Sequence, residues 1–125
     1  MNDVSDDAQP WPVEIRVKRA ERRLEVDYDD GVTIDLPAEL MRVESPSAEV
    51  QGHHLAQKRI VAGKRDVAIV AVEPVGNYAV RVRFDDGHDT GIFTWRYLRQ
   101  LFAERERLWS AYLEALEARG LSRDA

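Results

Sequence analysis

Residues 78–93, YAVRVRFDDGHDTGIF, carry the clearest structural pattern in the chain. Up to Phe84, apolar side chains alternate with smaller or charged ones, which is the period of a strand with one buried face. Asp86-Gly87 is typical of a tight turn, and a second strand is expected over His88–Phe93. The stretch therefore predicts an antiparallel β-hairpin with an apolar inner face.

The same design occurs earlier, in LEVDYDDGVTIDL at residues 24–36. When the two Asp-Asp-Gly turns are superposed, the flanking residues predict two hairpins of the same design. Two copies are too few for a solenoid repeat protein. Asp85 and Asp86 resemble a catalytic carboxylate pair, but the first turn carries the same two residues. We therefore interpret both pairs as turn residues. His88 differs, because the first copy has a valine at the matching position.

The remaining pattern adds further strands and a helix. Residues 13–17 alternate between apolar and charged side chains, and the apolar run Val67–Glu73 is typical of a central strand. From Thr94 onward apolar residues recur every three or four positions, which predicts one C-terminal helix over about 95–119.

These elements predict a single domain of α+β class over residues 11–125. The expected architecture is an antiparallel sheet of five to six strands with a long C-terminal α-helix packed across it. Residues 1–10 are predicted to be a flexible acidic tail. Residues 43–66 show neither strand nor helix periodicity, and a loop of this length inside a compact domain often has a function.

Composition excludes several kinds of protein. The 125 residues carry a net charge of −5 with a pI near 5.2, which argues against a nucleic-acid partner bound through phosphate contacts. The chain has no cysteine, so disulfides, thiolate metal sites and thiol nucleophiles are impossible. The longest apolar run is too short to span a bilayer, and the N-terminus does not resemble a signal peptide. We expect a cytoplasmic protein.

The second half of the predicted helix has two interpretations. Its apolar residues either pack on the protein's own sheet or contact a second protein, including another copy of this chain in a homodimer. The side chains concerned are Leu108, Trp109, Tyr112 and Leu116.

Two segments resemble a known family. LMRVESPSAEV at residues 40–50 is similar to the zinc segment of the gamma-butyrobetaine hydroxylase-like N-terminal domain family, and VGNYAVRVRFDDGHDTGIFTWRYL at residues 75–98 is similar to that family's most distinctive stretch. The resemblance extends from about Trp11 to Leu101. It implies a compact domain of this family, with Arg42 at the position of the family's arginine.

The resemblance also implies a lost metal site. Ser45, Ser47 and Val50 stand where metal-binding members carry zinc-binding cysteines, and only His88 keeps the identity of a ligand. Hydroxyls do not ionise near neutral pH and valine has no lone pair, so we expect no zinc here. We predict that hydrogen bonds and packing hold the segment, with Ser45 and Ser47 close to His88.

A metal site built from other ligands remains an alternative. His53, His54 and His88 with Asp89 offer imidazole and carboxylate donors for zinc or iron. Adjacent histidines in an extended chain point in opposite directions, so at most one of His53 and His54 would join His88.

The resemblance supplies no enzyme. In the hydroxylases the catalytic chemistry belongs to a separate C-terminal domain, and Thr90 stands where a facial triad would need a carboxylate. The serines have no base that the sequence reveals. Because the family domain also occurs fused to ATPases that carry iron–sulfur clusters, we expect a non-catalytic binding or adaptor domain linked to iron–sulfur or oxygenase-associated proteins.

Small-molecule sensing, in a pocket between the loop and the His88 turn, is a further alternative. For a partner or ligand, the sequence indicates a surface made of Arg42, Ser45, Ser47, His53, His88, Trp109 and Tyr112.

Overall fold

The computed structural model describes residues 10–52 and 58–124. An antiparallel sheet in the order β1-β2-β3 opens the fold, with β1 at Pro12–Lys18, β2 at Arg23–Tyr28 and β3 at Thr33–Pro37. The alternation of the sequence sets its faces, since Leu24 and Val26 are buried whereas Arg16 and Asp27 form an ion pair on the opposite face. The tail predicted at residues 1–10, apart from Pro10, lies outside the described residues.

A second antiparallel sheet follows in the order β4-β5-β6, with β4 at Ile69–Val75, β5 at Ala79–Phe84 and β6 at Gly91–Thr94. The hairpin predicted from residues 78–93 is confirmed. The prediction that Val67–Glu73 lies centrally was wrong, because β4 is an edge strand. Pro74 lies in that strand and has no N–H to donate, which an edge strand tolerates.

The prediction of one sheet of five to six strands was therefore wrong, although the α+β class is right. The described strands form two three-stranded sheets. Val26 and Leu36 from the first sheet enter the same core cluster as Val82 and Phe84 from the second. Each sheet thus buries one apolar face. The alternation of apolar and polar side chains indicates which face of a strand is buried, but it does not indicate which strands pair with each other.

Four helices are described: α1 at Ala38–Val43, α2 at Ala48–Gln51, α3 at Trp95–Ala103 and α4 at Arg105–Ala118. Thr94 caps α3, since its Oγ1 accepts a hydrogen bond from the N–H of Tyr97 at 3.0 Å. The continuous helix predicted over 95–119 was wrong, because Glu104 leaves the helical conformation at ψ 13°. Gly120, with a left-handed φ of 64°, follows the end of α4, as the predicted end near residue 119 requires.

The two C-terminal helices differ in the clusters to which their buried residues belong. Leu98 and Leu101 of α3 belong to the main core. Tyr112 and Leu116 of α4 instead form a second cluster with Val43, against which residues 60–62 pack. At the start of α4, Leu108 and Trp109 still pack against the main core, so the apolar residues of α4 are divided between the two clusters.

The segment predicted to be a structureless loop over residues 43–66 is only partly so. It contains α2, and its later part lies under α4, where the hydroxyl of Tyr112 donates to the carbonyl of Val61. Tyr112 and Leu116 are therefore covered by the protein's own chain. The apolar side of α4 is thus covered by the protein's own chain. Leu108 and Trp109 pack against the main core between the sheets, and Tyr112 and Leu116 pack against Val43.

Candidate functional site

Both Asp-Asp-Gly turns have the same internal geometry. The Oδ1 atom of Asp30 accepts from the N–H of Val32 at 3.2 Å, and that of Asp86 accepts from the N–H of His88 at 3.0 Å. The glycine that follows each aspartate has a left-handed φ, 86° in the first turn and 92° in the second. The interpretation of these aspartates as turn residues is thereby confirmed.

The second turn is tied to the rest of the protein by two cations. The Oδ2 atom of Asp86 lies 2.7 Å from the Nε of Arg42 and 2.6 Å from the Nζ of Lys64. Burial alone raises the pKa of Asp86, but the hydrogen bonds from Lys64, the N–H of His88 and Arg42 lower it to about 2. Arg42 therefore joins α1 to the turn that carries His88.

The segment after α1 is held at several points. The hydroxyl of Tyr97 donates to the carbonyl of Glu44 at 2.6 Å, and the carboxylate of Glu44 binds Lys58 at 2.8 Å. Ser47 caps α2, because its Oγ accepts from the N–H of Glu49 at 3.1 Å. The predicted loop is thus anchored on both sides of Ser45.

His88 and Ser45 meet at the centre of the site. The Nε2 of His88 lies 2.9 Å from the Oγ of Ser45, and its Nδ1 lies 3.1 Å from the Oε1 of Glu49. Burial lowers the pKa of His88 below its ordinary value, and the charge of Arg42 lowers it further, against the opposite effect of Glu49. In the neutral ring, Nδ1–H donates to Glu49 and Nε2 accepts from the hydroxyl of Ser45.

Ser45, His88 and Glu49 have the connectivity of a serine–histidine–acid catalytic triad, yet they lack room for a substrate. Ser45 is fully buried, and its Oγ already accepts from the N–H of Ser47 at 3.3 Å. A Cβ atom on Gly91 would collide with that Oγ. A nucleophile must reach a carbonyl carbon, so this geometry holds the loop in place and does not present a reactive serine.

The other predicted site residues lie around this centre or away from it. The Oγ of Ser47 bonds the Oγ1 of Thr90 at 2.6 Å, and Val50 is buried with its carbonyl bound to the N–H of Arg59. Asp89 is half-buried. His53 and His54 lie outside the described residues.

Trp109 and Tyr112 belong to the cluster under α4 and not to the His88 centre. Four of the residues assigned to a partner surface are buried, namely Ser45, Ser47, His88 and Tyr112. Sequence reasoning missed Glu49 and Thr90 as partners of the site. No spacing signal could have revealed them, because each acts across the fold.

Comparisons with known proteins identify the family of this chain. The sequence model of the family described as gamma-butyrobetaine hydroxylase-like, N-terminal, matches residues 15–99. The chain belongs to this family. No protein of curated function matches it.

Solved structures share both the fold and much of the sequence. A protein solved by solution NMR is 45% identical with a TM-score of 0.80, over 94% of this chain and 92% of that one. A crystal structure of a protein of unknown function in the DUF971 family, from Acidithiobacillus ferrooxidans, is 50% identical with a TM-score of 0.63. The match covers 74% of this chain and 93% of that one. The fold of this chain therefore extends over nearly all of the first relative.

The family's zinc chemistry does not fit the donors of this chain. The positions that resemble cysteine ligands offer two hydroxyls and an isopropyl group, and the Nε2 lone pair of His88 is engaged by Ser45. Among the described residues, no group of three histidine, cysteine or acidic side chains is arranged to hold a metal ion. Hydrogen bonds between Ser45 and His88 and between Ser47 and Thr90 join the two segments at this site.

Among residues 10–52 and 58–124, no helix has the length and apolar character needed to cross a membrane.

Proposed function

We propose that this gamma-butyrobetaine hydroxylase-like domain is a non-catalytic binding domain that contacts another protein in the cytoplasm. The observation that carries the proposal is the outer face of the second sheet. There, Ile92 is 41% exposed beside the arginines of β5, and Tyr78, in the turn before β5, is 53% exposed. Exposed aromatic, aliphatic and arginine side chains on a rigid element are the residue types that concentrate binding energy in protein interfaces.

Strand register sets this contact face. Arg81 lies between Glu73 on β4 and Ile92 on β6, and its guanidinium donates to the carboxylate of Glu73. Arg83 lies two residues along the same face, with about half of its side chain exposed. The alternate residue Val82 is buried. We define Arg81, Arg83 and Ile92, with Tyr78 in the adjoining turn, as the contact face.

Two features support a binding role over an enzymatic one. The serine of the triad-like centre is buried, and its hydrogen-bonding capacity is used within the site. The strands that carry the contact face are fixed by the core beneath them, so the face is pre-organised for a partner. The proposed class of partner, iron–sulfur or oxygenase-associated proteins, rests on the family resemblance alone.

Site-specific photocrosslinking tests this proposal. Benzoylphenylalanine would replace Ile92 in one variant and Val17 in a matched control, since Val17 is also about 40% exposed but lies on the other sheet. In an extract of the native host, we expect a discrete adduct from position 92 only, and its loss when Arg83→Glu is added. Equal labelling from both positions, or no discrete adduct at position 92, would contradict the proposal.

The alternative of a small metalloprotein using His88 makes a different prediction. It requires zinc or iron near one equivalent in protein purified without a histidine tag, whereas we expect no cofactor. The geometry at His88 favours our proposal, because both ring nitrogens already have partners in Ser45 and Glu49. Elemental analysis distinguishes the two.

Homodimerisation through α4 remains a further proposal. The residues first considered for it include Tyr112 and Leu116, which are buried against the protein's own chain, whereas Leu113 on the same helix is 40% exposed. A dimer would therefore need the side of α4 that carries Leu113. Sedimentation at micromolar concentration measures the oligomeric state, and a protein that is entirely monomeric would contradict this proposal.

A further inference from the structure

A cavity of about 620 Å³ lies between the start of α1, the first turns of α4 and the C-terminal segment. None of its lining residues belongs to the contact face, and its walls include Pro37, Leu40 and Trp109. Pockets that bind small molecules commonly enclose roughly 300–1,000 Å³ and combine apolar walls with a few convergent polar groups. The volume of this cavity falls within that range, and Pro37, Leu40 and Trp109 supply its apolar wall.

One wall is fixed by an ion pair and a cation–π contact. The guanidinium of Arg123 lies 5.0 Å from the centroid of the Trp109 ring and donates to both carboxylate oxygens of Glu39, at 2.8 and 2.7 Å. The backbone carbonyls of Ser122 and Arg123 accept hydrogen bonds from the segment at residues 63–65. The indole is thus held in place, and Arg123 and Glu39 neutralise each other.

Three further charged residues line the cavity, Arg23, Arg105 and Glu106. Arg23 is paired with Asp35 at 2.6 Å. Arg105 donates to the carbonyl of Phe102 and lies over its ring, 4.0 Å from the centroid, but among the described residues it has no carboxylate partner. Arg105 is therefore a cation available to a ligand. Glu106 also lines the cavity, which disfavours a ligand with two negative charges.

We propose that this cavity binds a small amphipathic carboxylate, with its apolar or aromatic body on Trp109 and Pro37 and its carboxylate on Arg105. A guanidinium matches a carboxylate by two parallel hydrogen bonds, and an indole face accepts a flat apolar group. This site is separate from the contact face, so the inference does not rest on the proposed function.

Titration of the isotope-labelled protein with phenylbutyrate, and with its uncharged analogue phenylbutyramide, tests the proposal. We expect phenylbutyrate to shift the backbone amide signals of Leu40 and Arg123 and the indole N–H signal of Trp109. Phenylbutyramide should bind about tenfold more weakly, because it cannot form a charge-assisted pair with Arg105. The signals that shift locate the binding site, and their dependence on the probe concentration gives the affinity.

Three variants make the test specific. Arg105→Gln should remove the preference for the carboxylate, so that the two probes bind with similar affinity. Arg107→Gln is the matched control on the same helix, because Arg107 pairs with Glu104 and does not line the cavity. Ser110 is exposed at the cavity, so Ser110→Phe should fill it, weaken both probes and keep the fold.

Several outcomes would overturn the inference. These are no spectral change at millimolar phenylbutyrate, changes confined to other parts of the protein, equal affinity for the two probes, or a preference that survives Arg105→Gln. If Ser110→Phe does not fold, the comparison of Arg105→Gln with Arg107→Gln still decides the matter.

Discussion

The Nε2 atom of His88 lies 2.9 Å from the Oγ atom of Ser45, although 43 residues separate them in sequence. This hydrogen bond joins the turn after β5 to the segment after α1. The resemblance to zinc-binding members places a metal ligand at each of these two positions. In this chain an uncharged contact between two buried side chains connects them.

Removing either partner of that contact should destabilise the fold. We expect His88→Ala and Ser45→Ala each to lower the free energy of unfolding by about 1–2 kcal/mol, because each leaves a buried polar atom unpaired. The double variant should cost less than the sum of the two. Urea denaturation measures these differences, with Asp89→Ala as the half-buried neighbouring control. Strictly additive effects would show that the two side chains do not interact.

Stability should also depend on the charge of His88. Burial lowers its pKa in the folded state, so the unfolded chain takes up a proton first as the pH falls. The stability that neutral His88 contributes is fully present above the pKa of the unfolded state, about 6.5. It is lost as the pH falls through the lower pKa of the folded state. The free energy of unfolding of the parent should therefore drop more than that of His88→Gln between about pH 7.5 and about pH 5.5. Parallel pH profiles would contradict this assignment.

The two Asp-Asp-Gly turns allow a comparison of buried and exposed ion pairs. Asp86→Asn should destabilise the protein by about 1–3 kcal/mol, because Arg42 and Lys64 are mostly buried and would lose their shared carboxylate. Asp30→Asn should cost less than about 1 kcal/mol, since its pair with Arg99 is more exposed. Thermal and urea unfolding of the two variants give the ranking, and equal costs would show that burial does not set it.

Restoring the cysteines should restore zinc binding. The triple variant Ser45→Cys, Ser47→Cys and Val50→Cys would provide three thiolates, with the Nε2 of His88 already directed at position 45. We expect one zinc ion per chain and a raised melting temperature, both lost when His88→Ala is added. A folded triple variant that binds no zinc would show that these positions do not converge on His88.

The serine of the triad-like centre should not react with a serine-directed reagent. Because Ser45 is fully buried against β6, an alkyl fluorophosphonate should not label the folded protein, and Ser45→Ala should give the same result as the parent. Mass spectrometry detects a single adduct with certainty. Labelling that disappears in Ser45→Ala would show that the loop opens and that the centre is a functional nucleophile.

Local features of this protein were determined by its sequence alone. The strands of both hairpins, the two Asp-Asp-Gly turns, the cap at Thr94 and the stop at Gly120 depend on side-chain period and on hydrogen bonds that span a few residues. The family could also be recognised from two short segments, and a match over residues 15–99 shows it. These features are predictable because their causes lie close together along the chain.

The arrangement of those elements was decided only by the tertiary structure. The strands divide into two sheets, the C-terminal helix breaks at Glu104, and Glu49 reaches His88. A periodic pattern specifies that a face is buried, but not which other face covers it. For the same reason, Asp30 and Asp86 lie in matching turns yet bind arginines from different elements. The arginine that each aspartate binds depends on which helix the folded chain places beside its turn.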